Sequence, residues 1–218
     1  MRNLAIIVAI LAFFPVFSYG QNELIIEPYV TTGKMLDVSV RGDTLATGAR
    51  VNPDRVYVLR RGGLYWINNN IQNTKYPLRI RAEYGTGKKP IIYASRPTAT
   101  TQPAQLFIAD STLELRNLAL VGWDDGGEAF STSVNQIITV SRTGQSMTID
   151  SCLLNNTTQR HIYINAAMKN VFITNTVFTN CGNLRSNNLG NGRAVDFRTV
   201  SVDTAFFQNC SFVNMHDR

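Results

Sequence analysis

An eight-residue phrase occurs four times in the second half of this chain. It reads LELRNLAL from Leu113, MTIDSCLL from Met147, VFITNTVF from Val171 and AFFQNCSF from Ala205. The copies start 34, 24 and 34 residues apart and are rich in β-branched and aromatic residues. A repeating unit of this size predicts a solenoid, in which each coil stacks on its neighbours and buries a shared core.

The columns of the aligned phrases predict strands joined by a bend. Columns one and three are apolar, as in a strand with one buried face. Column five interrupts this alternation with Asn117, Ser151, Asn175 and Asn209. Asn suits a sharp bend because it tolerates the left-handed backbone region, and stacked Asn side chains can hydrogen-bond along a ladder. A second Asn column lies two residues after column eight and consists of Asn156, Asn180 and Asn214, with Gly122 in the first copy.

Another predicted strand precedes each phrase, so that every coil carries three. These strands are Leu106–Ile108, Ile137–Val140, His161–Ile164 and Ala194–Phe197. The 24-residue spacing is a minimal coil, and each 34-residue spacing adds about ten residues. A helical repeat has a similar period, but no 3.6-residue periodicity runs for ten or more residues. We therefore predict an all-β parallel β-helix with a short N-terminal cap.

The pattern resembles the right-handed parallel β-helix of the pectate-lyase-like superfamily. The phrases NTVFTN at 175–180 and NCSFVN at 209–214 carry the resemblance, and the stretches 56–67 and 78–93 resemble the usual start of such a stack. The likeness covers roughly Arg55 to the last residue. It implies a fold rather than an activity, because this superfamily includes lyases, hydrolases, epimerases, adhesins and passive scaffolds.

The first twenty residues have the features of a secretory signal peptide. Arg2 precedes an apolar run, Leu4–Phe17, and small residues lie before Gln21, where we expect cleavage. The run is shorter than the ~20 residues that span a bilayer, although a retained anchor is the alternative. We expect a secreted chain without a membrane span, with a cap at 21–53 that includes an extended element, Leu24–Val30, and coils at 54–218.

Charge and cysteine content limit the classes of partner. Lys and Arg number 21 against 15 Asp and Glu, and loss of Arg2 leaves a net charge of +5. The basic excess lies early in the chain, at Arg50, Arg55, Arg60, Arg61, Arg79, Arg81, Lys88, Lys89 and Arg96. It is either a face that attracts polyanions such as uronic-acid polysaccharides or a set of solvated outward positions. We expect no nucleic-acid partner, because no binding motif is present.

The three cysteines are expected to be free thiols. Cys152 and Cys210 share column six but lie two coils apart, roughly 9–10 Å at the spacing of neighbouring strands, which is too far for a disulfide. Cys181 falls in another column. We expect two of the three to be buried as small apolar residues.

Two long insertions, 121–136 and 181–193, leave the coil after the same column. They should emerge from one side of the cylinder, with the short turn 156–160 between them. Residues with binding chemistry gather there: Trp123, Asp124, Asp125, Glu128, Arg160, His161, Arg185 and Arg193. Such residues are also common in loops simply because they are well solvated.

This edge is the candidate site that the sequence predicts. Trp123 offers a surface for a sugar ring, and Arg160, Arg185 and Arg193 can pair with a uronate carboxylate. Oxygen ligands from Asp124, Asp125 and Glu128 suit calcium. His161 is a candidate substrate-binding residue or a half-buried strand residue, and no partner carboxylate marks it as a base. The resemblance implies an Arg or Lys base with an acidic calcium site in the lyases, but no such motif matches this chain residue by residue.

Two functions remain open at this point. One is a secreted monomer that binds or acts on acidic polysaccharide, lyase-like if it is an enzyme. The other is a non-catalytic cell-surface or adhesin-type scaffold. The chain ends directly after the fourth phrase, and because solenoids need caps, we expect further coils beyond residue 218.

Overall fold

The computed structural model describes residues 22–95, 103–122, 134–182 and 192–216. Two short helices occur in these residues, α1 (Tyr29–Thr32) and α2 (Leu36–Gly42). The strands are β1 (Glu23–Ile26), β2 (Val56–Leu59), β3 (Leu64–Ile67), β4 (Ile71–Gln72), β5 (Leu78–Ala82), β6 (Ile91–Ala94), β7 (Gln105–Ala109), β8 (Leu113–Arg116), β9 (Ala119–Val121), β10 (Gln136–Val140), β11 (Gln145–Asp150), β12 (Leu153–Thr157), β13 (Arg160–Ile164), β14 (Met168–Thr174), β15 (Val177–Cys181), β16 (Arg193–Phe197), β17 (Val202–Gln208) and β18 (Ser211–Met215).

The strands form three parallel sheets. Sheet I has the order β1-β2-β5-β8-β11-β14-β17, sheet II the order β3-β6-β9-β12-β15-β18, and sheet III the order β4-β7-β10-β13-β16. Neighbours within a sheet come from successive coils of the chain. The five coils from β2 to β16 each contribute one strand to each sheet, whereas β1 precedes them and β17 and β18 follow them. The predicted parallel β-helix is confirmed.

The repeat columns coincide with the strand register. Met147 pairs with Val171, and Ile149 with Ile173, on sheet I. After the bend, Leu154 pairs with Phe178 on sheet II. The strands predicted ahead of each phrase form sheet III, and each is one or two residues longer than expected. Each phrase is therefore one strand of sheet I, a bend and one strand of sheet II.

The bend between sheets I and II is left-handed at every copy of column five. The φ angles are 59° at Asn117, 55° at Ser151, 51° at Asn175 and 53° at Asn209. In the second Asn column they are 57° at Asn156, 55° at Asn180 and 53° at Asn214. Residues with a branched Cβ are strained in this region, whereas Asn is enriched there. The prediction that Asn marks a left-handed bend is confirmed.

Gly122 replaces Asn in the first copy of the second column for a steric reason. A Cβ atom at this position would collide with the carbonyl oxygen of Asn156 in the next coil. The Gly122 amide instead donates to the carbonyl of Asn155, at 2.8 Å. Close approach of two coils therefore excludes a side chain here.

Side-chain amides link the bends of successive coils. The Asn209 Nδ2 donates to Asn175 Oδ1 at 3.2 Å, and the Asn214 Nδ2 donates to Asn180 Oδ1 at 3.0 Å. Asn175 in turn donates to the Asp150 carboxylate at 2.9 Å. These bonds run along the axis of the stack, so they fix the register of neighbouring coils.

The interior is apolar and continuous from coil to coil. Columns one, three and eight are buried in the first three copies, with Ile149, Ile173 and Phe178 fully inaccessible. In the fourth copy Phe207 is 39% exposed and Phe212 is 52% exposed, because no described residue packs beyond them. The Phe212 ring nevertheless stacks on Phe178, with centroids 5.1 Å apart. The columns thus decide which side chains face inward.

The N-terminal segment is less extended than the sequence predicts. The strand expected over Leu24–Val30 ends at Ile26, and α1 follows Pro28 because the carbonyl of Pro28 accepts bonds from Thr31 and Thr32. The second helix, α2, then buries Leu36 and Val40 and contacts β3 and β4. The described residues contain no helix with the length and hydropathy of a membrane span. The cap is thus partly helical.

Substitution at Asn175 tests the bend. Asn175→Ala removes the side-chain hydrogen bonds to Asp150 and Asn209. It also places alanine at positive φ, where its side chain cannot hydrogen-bond to the local backbone. We therefore expect a loss of about 2–4 kcal/mol in the free energy of unfolding. Asn175→Gly removes the same bonds without backbone strain and should lose about 1–2 kcal/mol less. Urea denaturation of both variants measures the difference. Equal losses for Ala and Gly would contradict a strained bend.

Candidate functional site

The candidate site lies on the outer face of sheet III, beside the two long insertions. Strand pairing places Gln136, Arg160 and Arg193 in one column of successive coils. The same pairing places Thr139, Tyr163 and Asp196 in a second column. Two columns of polar side chains therefore run along the axis. We call these six residues the sheet III face.

Asp196 holds the two arginines of this face together. Its Oδ2 atom lies 3.1 Å from Arg160 Nη1 and 3.2 Å from Arg193 Nη1. The Arg160 side chain is 7% exposed and that of Arg193 is 41% exposed. Arg160 also lies over the Tyr163 ring, 4.3 Å from its centroid. The six residues of this face carry two positive charges and one negative charge, and the more exposed guanidinium is that of Arg193.

Three polar atoms near these columns are buried without a partner in the described part of the chain. They are Gln136 Oε1, Thr139 Oγ1 and Arg160 Nε. A buried polar group that makes no hydrogen bond costs free energy, so such groups normally bind water or another polar molecule. The face therefore has hydrogen-bonding capacity beyond its own ion pairs.

His161 points into the coil and not onto this face. It is fully buried. In the same column, Ile137 lies one coil before it and Leu106 lies two coils before it. Its Nε2 lies 3.1 Å from the carbonyl oxygen of Thr179, and its Nδ1 lies 3.3 Å from Thr157 Oγ1. Burial lowers the pKa of His161 to about 3, so the ring is neutral near pH 7. In this position the side chain does not reach a ligand on the outer face.

The neutral ring belongs to a small buried network. The neutral imidazole donates from one nitrogen and accepts at the other, so donation from Nε2 to Thr179 leaves Nδ1 to accept from Thr157. The Thr157 hydroxyl also lies 3.3 Å from Cys181 Sγ. Because all three side chains are inaccessible, this network has a structural role.

The structure brings some of the predicted site residues together and leaves the rest undescribed. Arg160 and Arg193 meet through Asp196. Trp123, Asp124, Asp125, Glu128 and Arg185 lie outside the described residues, so their roles stay predictions. Within the described ranges, no three His, Cys, Asp or Glu side chains are grouped as for a metal ion.

The cysteines agree with the sequence prediction. All three are free thiols, with Cys152 and Cys181 buried and Cys210 partly exposed. Burial raises the pKa of the Cys152 thiol to about 12, so it is protonated near pH 7 and a poor nucleophile. These thiols act as small core side chains.

Asp196 and Tyr163 were missed by the sequence reasoning. Both lie within predicted strands, three residues after Arg193 and Arg160 respectively. The available signal was the strand alternation: Asp196 and Tyr163 interrupt apolar residues that face inward. Had the outward positions of these strands been aligned by coil, as the phrases were, both residues would have appeared beside the arginines.

Comparisons with known proteins add no family. No protein-family model matches the chain, and no curated protein is significantly similar to it. The functional argument therefore depends on the geometry of this chain alone.

The buried His161 predicts acid-sensitive stability. The unfolded chain binds a proton below about pH 6.5, whereas folded His161 does so only near pH 3, so stability falls as pH falls between these values. Each pH unit in that window costs on the order of 1.4 kcal/mol. Unfolding by urea at about pH 7.5 and about pH 4.5 measures the loss.

His161→Gln is the matched control, because glutamine can donate to Thr179 and accept from Thr157 but does not titrate. This variant should lose clearly less stability over the same pH interval. If the variant and the wild-type chain lose equal stability, the acid sensitivity does not come from His161.

Proposed function

We propose that this chain is a secreted parallel β-helix protein that binds acidic polysaccharide along the sheet III face. The observation that carries the proposal is the pair of arginines in successive coils that share the single carboxylate of Asp196. This arrangement holds two guanidinium groups in place on one carboxylate of the face. A guanidinium can bind a uronate carboxylate through two parallel hydrogen bonds.

Other features of the face favour a sugar chain over a small anion. The face runs along the axis of the stack, so a polymer can contact several coils in succession. Tyr163 supplies an aromatic ring on the same face, beside Arg160. We propose that Trp123 and Arg185, in the insertions that precede β10 and β16 in the sequence, extend the contact.

We also propose that the chain belongs to the pectate-lyase-like superfamily. Support comes from the three parallel sheets, the left-handed Asn bends and the amide bonds that connect them. If the protein is an enzyme, lyase chemistry is the proposal. Calcium held by Asp124, Asp125 and Glu128 is part of the same proposal.

A rigid cell-surface scaffold is the second candidate. The observation that favours it is the continuity of sheet I, whose seven strands run the length of the described stack. A scaffold of this kind needs no ligand on sheet III. Binding measurements therefore distinguish the two functions.

Titration calorimetry with polygalacturonate fragments tests the proposal. The full chain should bind them more tightly at low than at high ionic strength, and it should bind a neutral glucan poorly. Arg193→Ala should weaken binding about tenfold, because one charge-assisted pair is lost. Arg193 is the variant of choice because its side chain is exposed enough to be removed without unfolding the coil.

Arg41→Ala is the matched control, since Arg41 is an exposed arginine on α2. It should bind polygalacturonate like the wild-type chain. Equal binding by the Arg193 and Arg41 variants, or no binding by the wild-type chain, would contradict the proposal and favour the scaffold. Ultraviolet detection of unsaturated products in the same mixtures separates a lyase from a binding protein.

A further inference from the structure

A second polar surface lies on the outer face of sheet I, on a different side of the coil. It is a cleft of about 510 Å³, a volume within the range of small-molecule sites. Neighbouring coils supply its charged lining: Arg61, Arg79, Arg81, Arg116, Glu23, Glu83 and Glu114. We call this the sheet I cleft.

Positive charge exceeds negative charge in this cleft. Four guanidinium groups face three carboxylates. One of these carboxylates, Glu83, is paired at 2.7 Å with Arg60, which does not line the cleft. Within the lining, Glu23 and Glu114 are left to four arginines, and Asp54, outside the lining, lies 3.7 Å from Arg79.

Arg79 holds the donors that are available to a ligand. Its nearest carboxylate oxygens, on Asp54 and Glu114, each lie 3.7 Å away, beyond hydrogen-bond distance. Among the described residues its guanidinium makes no hydrogen bond, although the side chain is 29% exposed. Arg61 Nε also has no hydrogen-bond partner among the described residues, but this atom is buried. The guanidinium of Arg79 therefore still has donors that a ligand could use.

Arg116 and Glu114 form the side of the cleft next to Arg79. Arg116 Nε lies 2.6 Å from Glu114 Oε1, and the Arg116 side chain is 48% exposed. Such an exposed pair contributes little to stability. Arg116 can therefore turn part of its guanidinium to an anion at modest cost.

Tyr84 provides a flat surface at the rim. It is 74% exposed, and one ring face is covered by Arg81, whose guanidinium carbon lies 3.8 Å from the centroid. Arg81 is fixed by Glu23 at 2.6 Å and by the carbonyl of Ala82 at 2.7 Å. The other ring face is open. A sugar ring can stack on it, while Arg81 holds the opposite face of the ring in place.

We propose that the sheet I cleft binds a phosphate or sulfate ester carried on a sugar, with the oxyanion on Arg79 and Arg116 and the ring on Tyr84. One planar guanidinium group can form both hydrogen bonds that a single carboxylate accepts. Arg79 and Arg116 come from neighbouring coils and lie on either side of Glu114. Two guanidinium groups together match the several oxygens of a tetrahedral anion. The site is independent of the sheet III face, because it lies on a different sheet.

The experiment measures binding of four probes to the full chain by calorimetry: inorganic phosphate, inorganic sulfate, glucose 6-phosphate and galacturonate. Inorganic phosphate and inorganic sulfate stand for the two esters, so a comparison of their affinities shows which ester the cleft prefers. Arg79→Ala should weaken binding of the preferred anion and of glucose 6-phosphate by about tenfold or more. Arg79→Lys should keep only part of the wild-type affinity, because lysine keeps the charge but lacks the planar pair of guanidinium donors.

Tyr84→Ala separates the ring from the anion. It should weaken glucose 6-phosphate and leave inorganic phosphate unchanged. Arg198→Ala, at an exposed arginine in the last coil, is the matched control and should bind all probes like the wild-type chain.

Equal binding by the Arg79 and Arg198 variants would overturn the proposal. Galacturonate bound as tightly as glucose 6-phosphate would also overturn it, because the cleft would then select a carboxylate. Neither result bears on the sheet III proposal, which the Arg193 variant tests separately.

Discussion

The left-handed bend after each of the last four strands of sheet I is the constraint on which the rest of this structure depends. It turns the chain from sheet I to sheet II within one residue and repeats at Asn117, Ser151, Asn175 and Asn209. Because these four coils turn at the same column, equivalent side chains stack in register and the core stays continuous. The hydrogen bond between the Asn209 and Asn175 side chains reinforces this register at the bend itself.

The repeated bend also decides which surfaces are available for function. A shared register places outward side chains of one column directly above each other, about one strand spacing apart. Arg160 and Arg193 meet at Asp196 for this reason, and Arg79 lies beside Glu114 for the same reason. The two charged surfaces lie on separate sheets, so they are two sites and not one extended groove.

Much of the fold could be predicted because its causes are local. Asn at a break in strand alternation predicts positive φ, and the structure has it at every copy of that column. The N-terminal cap was harder, because the turn at Pro28 and the helices after it depend on packing of α2 against β3 and β4. His161 was expected either to bind substrate or to be a half-buried strand residue. Its full burial follows from its column, in which Leu106 and Ile137 precede it. The pairing of Arg160 and Arg193 with Asp196 was missed because no repeated phrase marks the strands of sheet III, so their outward positions were not aligned by coil.

Amide chemical-shift mapping by nuclear magnetic resonance tests the central claim most directly. Titration of the labelled full chain with a polygalacturonate fragment should shift amides of Arg160, Tyr163, Arg193 and Asp196. The chemical shifts of amides near Arg79 and Arg116 on sheet I should not change. Shifts confined to sheet I, or no shifts at saturating ligand, would contradict the claim that the sheet III face binds acidic polysaccharide.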